Sequence, residues 1–116
     1  MKHFDLDQKR FVTAENKSGL ASHETVFEYQ QNGETITGSY QGGLIKIGHI
    51  VGKQVNADTI ALLYHCITNE GALMAGESTG KLSMKGELIQ INFDWNWLNG
   101  DRSGGKSEYI EVISQA

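Results

Sequence analysis

Turn signals recur along this sequence every ten to fifteen residues and limit its fold more than any other feature. Asn-Gly and Gly-Gly pairs favour tight hairpin turns because both central residues tolerate positive φ. The chain contains no proline, so no strand lacks a backbone donor for its ladder. Seven signals divide the chain into eight segments, at Ser18-Gly19, Asn32-Gly33, Gly42-Gly43, residues 56–58, Glu70-Gly71, Lys85-Gly86 and Asn99-Gly100.

The segments between these turns have the composition and alternation of β-strands. In the seventh segment one face carries Ile89, Ile91, Phe93, Trp95 and Trp97, and the other carries polar residues. Residues 59–67 also fit a short helix capped by Asp58, but two isoleucines and a tyrosine favour a strand. The sequence therefore predicts one all-β domain, residues 1–116, folded as an eight-stranded antiparallel up-and-down barrel.

The assumed loop lengths predict which residues face each other across neighbouring strands. The predicted pairs are Tyr29 with Ile36, Tyr40 with Ile45, His49 with His65, His65 with Gly76, and Trp95 with Glu108. This register turns nine candidate ligand-binding side chains toward the interior: Phe27, Tyr29, Tyr40, His49, His65, Ser78, Trp95, Trp97 and Glu108. Because a buried polar group costs free energy unless it is bonded, so many inward polar groups predict a hydrated or ligand-holding cavity.

Three of the predicted inward residues carry protonatable groups. His49 and His65 form a cross-strand pair that fits a shared ligand, a shared proton or two neutral, hydrogen-bonded imidazoles. No compact zinc-ligand spacing is present, so we predict neither a metal nor a cofactor. Glu108 fits either a general acid–base role beside the indole rings or a solvated position at the barrel mouth.

The same register places an apolar patch on the outside of the barrel. Its members are Leu44, Ile50, Ile60, Leu62, Tyr64, Cys66 and Leu73. A patch of this kind predicts self-association, most simply as a two-fold homodimer. Alternatively, the first segment with Phe4, Leu6, Phe11 and Val12 covers part of it.

Composition excludes several other functions. The net charge is −4 and no Lys/Arg cluster occurs, so nucleic-acid binding has no electrostatic basis. The apolar runs are too short to span a membrane, and a single cysteine with no signal segment predicts a cytoplasmic protein. Residues 100–107 satisfy the phosphate-loop spacing Gly-x-x-x-x-Gly-Lys-Ser, but an alternating segment follows them, so we interpret them as a hairpin loop.

Several short motifs together resemble a known family. They are Asn16 and Gly19, residues 25–29, 38–43 and 47–52, Tyr64-His65, residues 76–78, Trp95-Asn96-Trp97, Gly100 and Ser107. Over residues of about 11 to 112 the chain resembles small bacterial proteins with an avidin-like fold, among the lipocalin-like barrels. Such proteins are often labelled N-acetylglutamate synthase. The predicted barrel, however, offers no helix N-terminus for a coenzyme A pyrophosphate.

Three functional hypotheses follow from these features. The favoured one is a protein that binds a small, partly apolar or aromatic molecule in the barrel interior. The second is a small enzyme that uses the same cavity for acid–base chemistry through His49, His65 or Glu108. The third is a structural or oligomerisation module whose barrel is simply filled.

Overall fold

The computed structural model of the protein describes residues 4–16, 25–100 and 102–112. Its strands are β1 (Lys9–Asn16), β2 (Val26–Asn32), β3 (Thr35–Gly42), β4 (Ile45–Asn56), β5 (Thr59–Thr68), β6 (Leu73–Lys85), β7 (Leu88–Trp97) and β8 (Gly104–Val112). Each strand pairs antiparallel with the next, and β1 pairs with β8 to close the barrel. The predicted eight-stranded barrel is confirmed. The predicted turn at Ser18-Gly19 lies outside the described residues.

Two local predictions can be compared with these strands directly. Residues 59–67 lie in β5, so the strand was the correct choice over the helix. Residues 104–107 lie in β8, so the segment with phosphate-loop spacing leads into a strand, as predicted. Within the described residues, no helix is long and apolar enough to cross a membrane.

The register between β3 and β4 differs from the prediction by three residues, of which the turn accounts for two and a bulge in β4 for one. Tyr40 pairs with Gly48 rather than with Ile45. Lys46 and Ile47 are both exposed, although they are consecutive residues of one strand. A bulge adds one residue to a strand, and this reverses the face of every residue that follows. The remainder of β4 therefore presents to the interior the residues that we predicted to lie outside.

The faces of β5 are reversed together with those of β4, and the connection between β5 and β6 restores the predicted faces. His49 pairs with His65, as predicted, but both side chains are exposed on the outside of the barrel. The connection between β5 and β6 is longer than assumed, so His65 pairs with Ala75 instead of Gly76. This second odd shift restores the predicted faces of β6, and Ser78 points inward.

The inward and outward faces of β8 are also the reverse of the prediction. Trp95 pairs with Gly105 rather than with Glu108, which shifts β8 by three residues against β7. Ser107 and Tyr109 are therefore buried inside the barrel, while Glu108 lies on the outer face. By contrast, Tyr29 pairs with Gly38, a shift of two residues that leaves the predicted faces of β2 and β3 unchanged.

Inward glycines make room for large rings from neighbouring strands. A Cβ atom at Gly48 would lie 2.3 Å from Cζ of Tyr40, and one at Gly80 would lie 2.5 Å from the Phe93 ring. Both distances are shorter than atomic contact allows. Packing of large beside small residues fills a narrow barrel while its strands remain close together.

The N-terminal segment closes one end of the barrel, formed by the turns β2–β3, β4–β5 and β6–β7. Leu6 is fully buried in the core, and its backbone N–H donates to Oε1 of Gln31 at 2.9 Å. The Gln31 amide donates in turn to Oε1 of Gln54 at 2.7 Å. Phe11 is likewise fully buried. The alternative in which this segment covers an outer patch is therefore wrong, because Leu6 and Phe11 fill the interior instead.

Candidate functional site

A cavity of about 60 Å³ lies inside the barrel, away from the end that Leu6 closes. Its lining consists of Phe27, Tyr29, Tyr40, Ile45, Ile50, Leu62, Tyr64, Ser78, Phe93, Trp95, Trp97, Ser107 and Tyr109. None of these lining residues carries a charge at neutral pH. This volume exceeds the roughly 10–15 Å³ that a single water needs, so the barrel is not completely filled.

Aromatic side chains form most of the cavity wall and hold one another in place. Phe27 stacks on Tyr40, with ring centroids 4.9 Å apart and planes 16° apart, and meets Tyr109 edge to face at 4.8 Å. On the opposite side, Trp97 makes edge contacts with Trp95 at 6.0 Å and with Tyr64 at 5.6 Å. Such pairs are individually weak, but a connected set fixes the rotamers around the cavity before any ligand enters.

Several polar groups of the cavity lining already have hydrogen-bond partners. The indole N–H of Trp95 donates to Oγ of Ser107 at 2.8 Å. The Tyr64 hydroxyl donates to the Glu77 carbonyl at 3.4 Å. The hydroxyl of Tyr40 is different: it is buried and makes no hydrogen bond to an oxygen or nitrogen among the described residues, and the thiol of Cys66, a weak acceptor, lies near it. A buried donor without a strong partner costs free energy, and a ligand with an acceptor atom would remove that cost.

Burial keeps the cavity uncharged. It raises the pKa of Tyr29, Tyr40, Tyr64 and Tyr109 well above the ordinary value of 10, so all four hydroxyls stay protonated at neutral pH. Burial also raises the pKa of the Cys66 thiol, although the nearby Tyr40 hydroxyl partly opposes the rise. A protonated thiol is a poor nucleophile.

Six of the nine predicted site residues line this cavity: Phe27, Tyr29, Tyr40, Ser78, Trp95 and Trp97. The predicted inward orientation of His49, His65 and Glu108 is wrong, because the odd register shifts put them on the outer face. There Glu108 accepts a hydrogen bond from Nε2 of Gln90 at 2.9 Å. The proton carriers of the acid–base hypothesis are thus outside the cavity.

Sequence reasoning missed several wall residues for the same reason. Ile50, Leu62 and Tyr64 were assigned to the outer patch but line the cavity, and Ser107 and Tyr109 were also missed. Ile60 and Cys66, assigned to that patch as well, are buried in the core. The glycines held a usable signal. Gly48 and Gly52 face the interior, where large side chains from neighbouring strands occupy the space that a Cβ atom would need. Ile50 lies between them with the same alternation, so the two glycines indicate that it also faces inward.

Comparison with known proteins identifies one family. The model of a family described as avidin-like protein matches residues 4–112. No curated protein and no solved structure matches the chain.

Proposed function

Because this chain belongs to the avidin-like protein family, whose barrels are known for binding small molecules, we propose that it binds a small, uncharged, largely apolar molecule inside its barrel. The observation that supports this most strongly is the cavity wall, since eight of its thirteen residues are aromatic and none is charged. Aromatic walls with a few polar groups are typical of ligand pockets.

The cavity narrows the class of ligand further. The cavity volume of about 60 Å³ limits the ligand to a small molecule of at most one ring. A charged group would lose its hydration without finding a counter-charge in the wall. The Tyr40 hydroxyl, which bonds no oxygen or nitrogen of the described residues, favours a ligand with one hydrogen-bond acceptor. A neutral, one-ring compound with a carbonyl, nitrile or ether group meets all three conditions.

Three probes of similar size test this proposal: benzonitrile, toluene and benzoate. The chain has two tryptophans, and both line the cavity, so their indole N–H signals in NMR report on its occupancy. We expect saturable shifts of both signals with benzonitrile, weaker binding of toluene, which has no acceptor, and no binding of benzoate. Equal responses to the neutral and charged probes would contradict the proposal.

The Tyr40→Phe variant separates ligand binding from folding. Removal of this hydroxyl should weaken benzonitrile binding about fivefold, since one hydrogen bond contributes about 1 kcal/mol. The same change should raise the free energy of unfolding of the empty protein by about 1 kcal/mol. The control is Ser39→Ala, a neighbouring exposed position on β3, which should change neither quantity. Unchanged affinity in Tyr40→Phe would exclude this hydroxyl from the binding site.

Avidin-like proteins generally form oligomers, so an exposed apolar surface of the barrel is a candidate interface for a second copy of this chain. The predicted dimer surface was wrong in most of its residues, because Ile50, Leu62 and Tyr64 point inward and Ile60 and Cys66 are buried; of that patch only Leu44 and Leu73 are exposed. The apolar outer surface lies instead on the opposite side of β4 and β5. We define the β4–β5 outer face as Ile47, His49, Val51, Leu63, His65 and Ile67.

We infer that this chain forms a homodimer through the β4–β5 outer face. Val51 is 61% exposed and Leu63 is 60% exposed, which is unusual for side chains of this type in a contiguous patch. The six residues that define the face carry no carboxylate, lysine or arginine, so its centre places no like charges in contact; Glu77, which pairs with Leu63, and Lys53 lie at its border. A two-fold axis brings such a face against itself.

Sedimentation velocity tests the dimer. We expect the wild-type chain to be dimeric at tens of micromolar, and Val51→Glu to be monomeric because each copy would bury an unpaired carboxylate. The control is Asn92→Glu, an exposed position on β7 that does not pair with β4 or β5, which should remain dimeric. A monomeric wild-type chain at these concentrations would contradict the proposal.

A further inference from the structure

We propose that His49 and His65 of one copy, together with the same two residues of a second copy, form a site for a divalent transition-metal ion such as Zn²⁺. This inference rests on the homodimer proposed above and adds a ligand to its interface. It uses two side chains that the barrel cavity leaves without a role.

The two imidazoles are placed as a metal would require. His49 and His65 pair directly across β4 and β5, and their ring centroids are 5.9 Å apart. A zinc–nitrogen bond of about 2.0–2.1 Å puts a metal roughly 3.2 Å from each ring centroid, so two imidazoles on one metal lie about 5–6 Å apart. The observed separation lies within this range, so the spacing of the two rings is compatible with one shared ion.

One copy of the chain supplies too few ligands for such a site. Structural zinc takes four ligands, and in the described part of the chain no group of three or more His, Cys, Asp or Glu side chains lies close enough to hold a metal. Two histidines from each of two copies make four nitrogen ligands. Imidazole is a preferred ligand for zinc, copper and nickel, which identifies the class of ion.

The residues on either side of the histidines are arranged as a two-fold symmetric contact requires. The histidine pair lies between two apolar cross-strand pairs, Ile47 with Ile67 on one side and Val51 with Leu63 on the other. A two-fold axis that passes between two such faces, over the histidine pair, sets histidines on histidines and apolar pairs on apolar pairs. Packed sheets lie about 10 Å apart, so an ion midway is about 5 Å from each sheet, within reach of an imidazole.

Metal binding would also remove a cost of the interface. Burial of four imidazoles at the centre of a dimer leaves ring nitrogens away from water, and each polar group that is buried without a bond costs free energy. A divalent ion accepts one nitrogen lone pair from each neutral imidazole and releases its bound waters. We therefore expect the metal to strengthen the dimer.

Zinc titration of the full chain after treatment with EDTA tests this inference. Calorimetry should give one Zn²⁺ per two chains, and sedimentation should show dimer dissociation at least tenfold weaker with Zn²⁺ than with EDTA. His49→Gln and His65→Gln should each abolish both effects. As the control, the double variant His3→Gln/His23→Gln changes the two histidines that lie outside the described residues and should bind zinc like the wild type.

Different failures identify different errors. A dimer in EDTA that zinc neither binds nor strengthens overturns the metal site and leaves the dimer intact. A stoichiometry of one Zn²⁺ per chain, or binding that survives in His49→Gln, also overturns the shared site. A chain that is monomeric with and without zinc overturns the dimer and the metal site together.

Discussion

Substitution of Gly48 by alanine should lower the free energy of unfolding by about 2–3 kcal/mol, although it adds a single methyl group. The three atoms nearest to the new Cβ would all belong to the ring of Tyr40, at 2.3–2.6 Å. That ring has little freedom to move, because it is 5% exposed and stacks on Phe27. For a domain of this size such a loss is a large part of the total stability.

Urea denaturation of two matched variants tests this expectation. Gly76→Ala creates the same kind of overlap, with its Cβ 2.5 Å from the ring of Tyr64. Tyr64, however, is only half-buried, so its side chain has more room to rotate away than the buried Tyr40 ring has. We therefore expect Gly76→Ala to cost at least about 1 kcal/mol less than Gly48→Ala. Equal losses in the two variants would show that the exposure of the neighbouring ring does not decide the cost.

A double variant identifies the Tyr40 ring as the cause. Tyr40→Leu removes the aromatic ring that the new methyl group would meet. The double variant Gly48→Ala/Tyr40→Leu should therefore be more stable than the sum of the two single losses predicts. Strict additivity would contradict the steric explanation and would place the cost elsewhere in β4.

The number of strands was predictable from the sequence because hairpin turns leave local signals. Six of the seven predicted turns separate strands of the described barrel, and Gly33, Gly43, Gly71, Gly86 and Gly100 adopt the positive φ that such turns use. A turn depends on two or three adjacent residues, so a single sequence contains most of the information.

The faces of β4, β5 and β8 were not predictable in the same way. Side chains alternate with a period of two, so one extra residue reverses a whole strand. Hydrophobicity did not reveal the error, because both sides of β4 and β5 are apolar: Ile50 and Leu62 point inward, while Val51 and Leu63 point outward. A bulge at Lys46 and Ile47 has no local sequence signal comparable to Asn-Gly.

This explains why the candidate site was predicted only in part. The wall residues on β2, β3, β6 and β7 were placed correctly, because the errors in their register were even or cancelled. The error at β4 exchanged two histidines for Ile50, Leu62 and Tyr64. The predicted polar interior became an aromatic one, and this change favours binding of an uncharged molecule over acid–base chemistry.

Substitution of Leu6 by alanine should lower the free energy of unfolding by about 3 kcal/mol. Leu6 is fully buried, and its segment is tied to the barrel by the Gln31 side chain and by a 2.9 Å hydrogen bond from the Gln8 N–H to the Tyr29 carbonyl. Because this backbone is fixed, the core cannot collapse around the smaller side chain, and the loss includes the cost of a cavity.

Leu73→Ala provides the matched control, since Leu73 is 67% exposed and the same atoms are removed. It should change stability by less than about 0.5 kcal/mol in urea denaturation. Leu6 does not line the cavity, so folded Leu6→Ala should still bind benzonitrile with wild-type affinity. Similar losses in the two leucine variants would mean that residues near Leu6 do not close the barrel. A loss of benzonitrile binding would mean instead that the closed end and the cavity form one connected space.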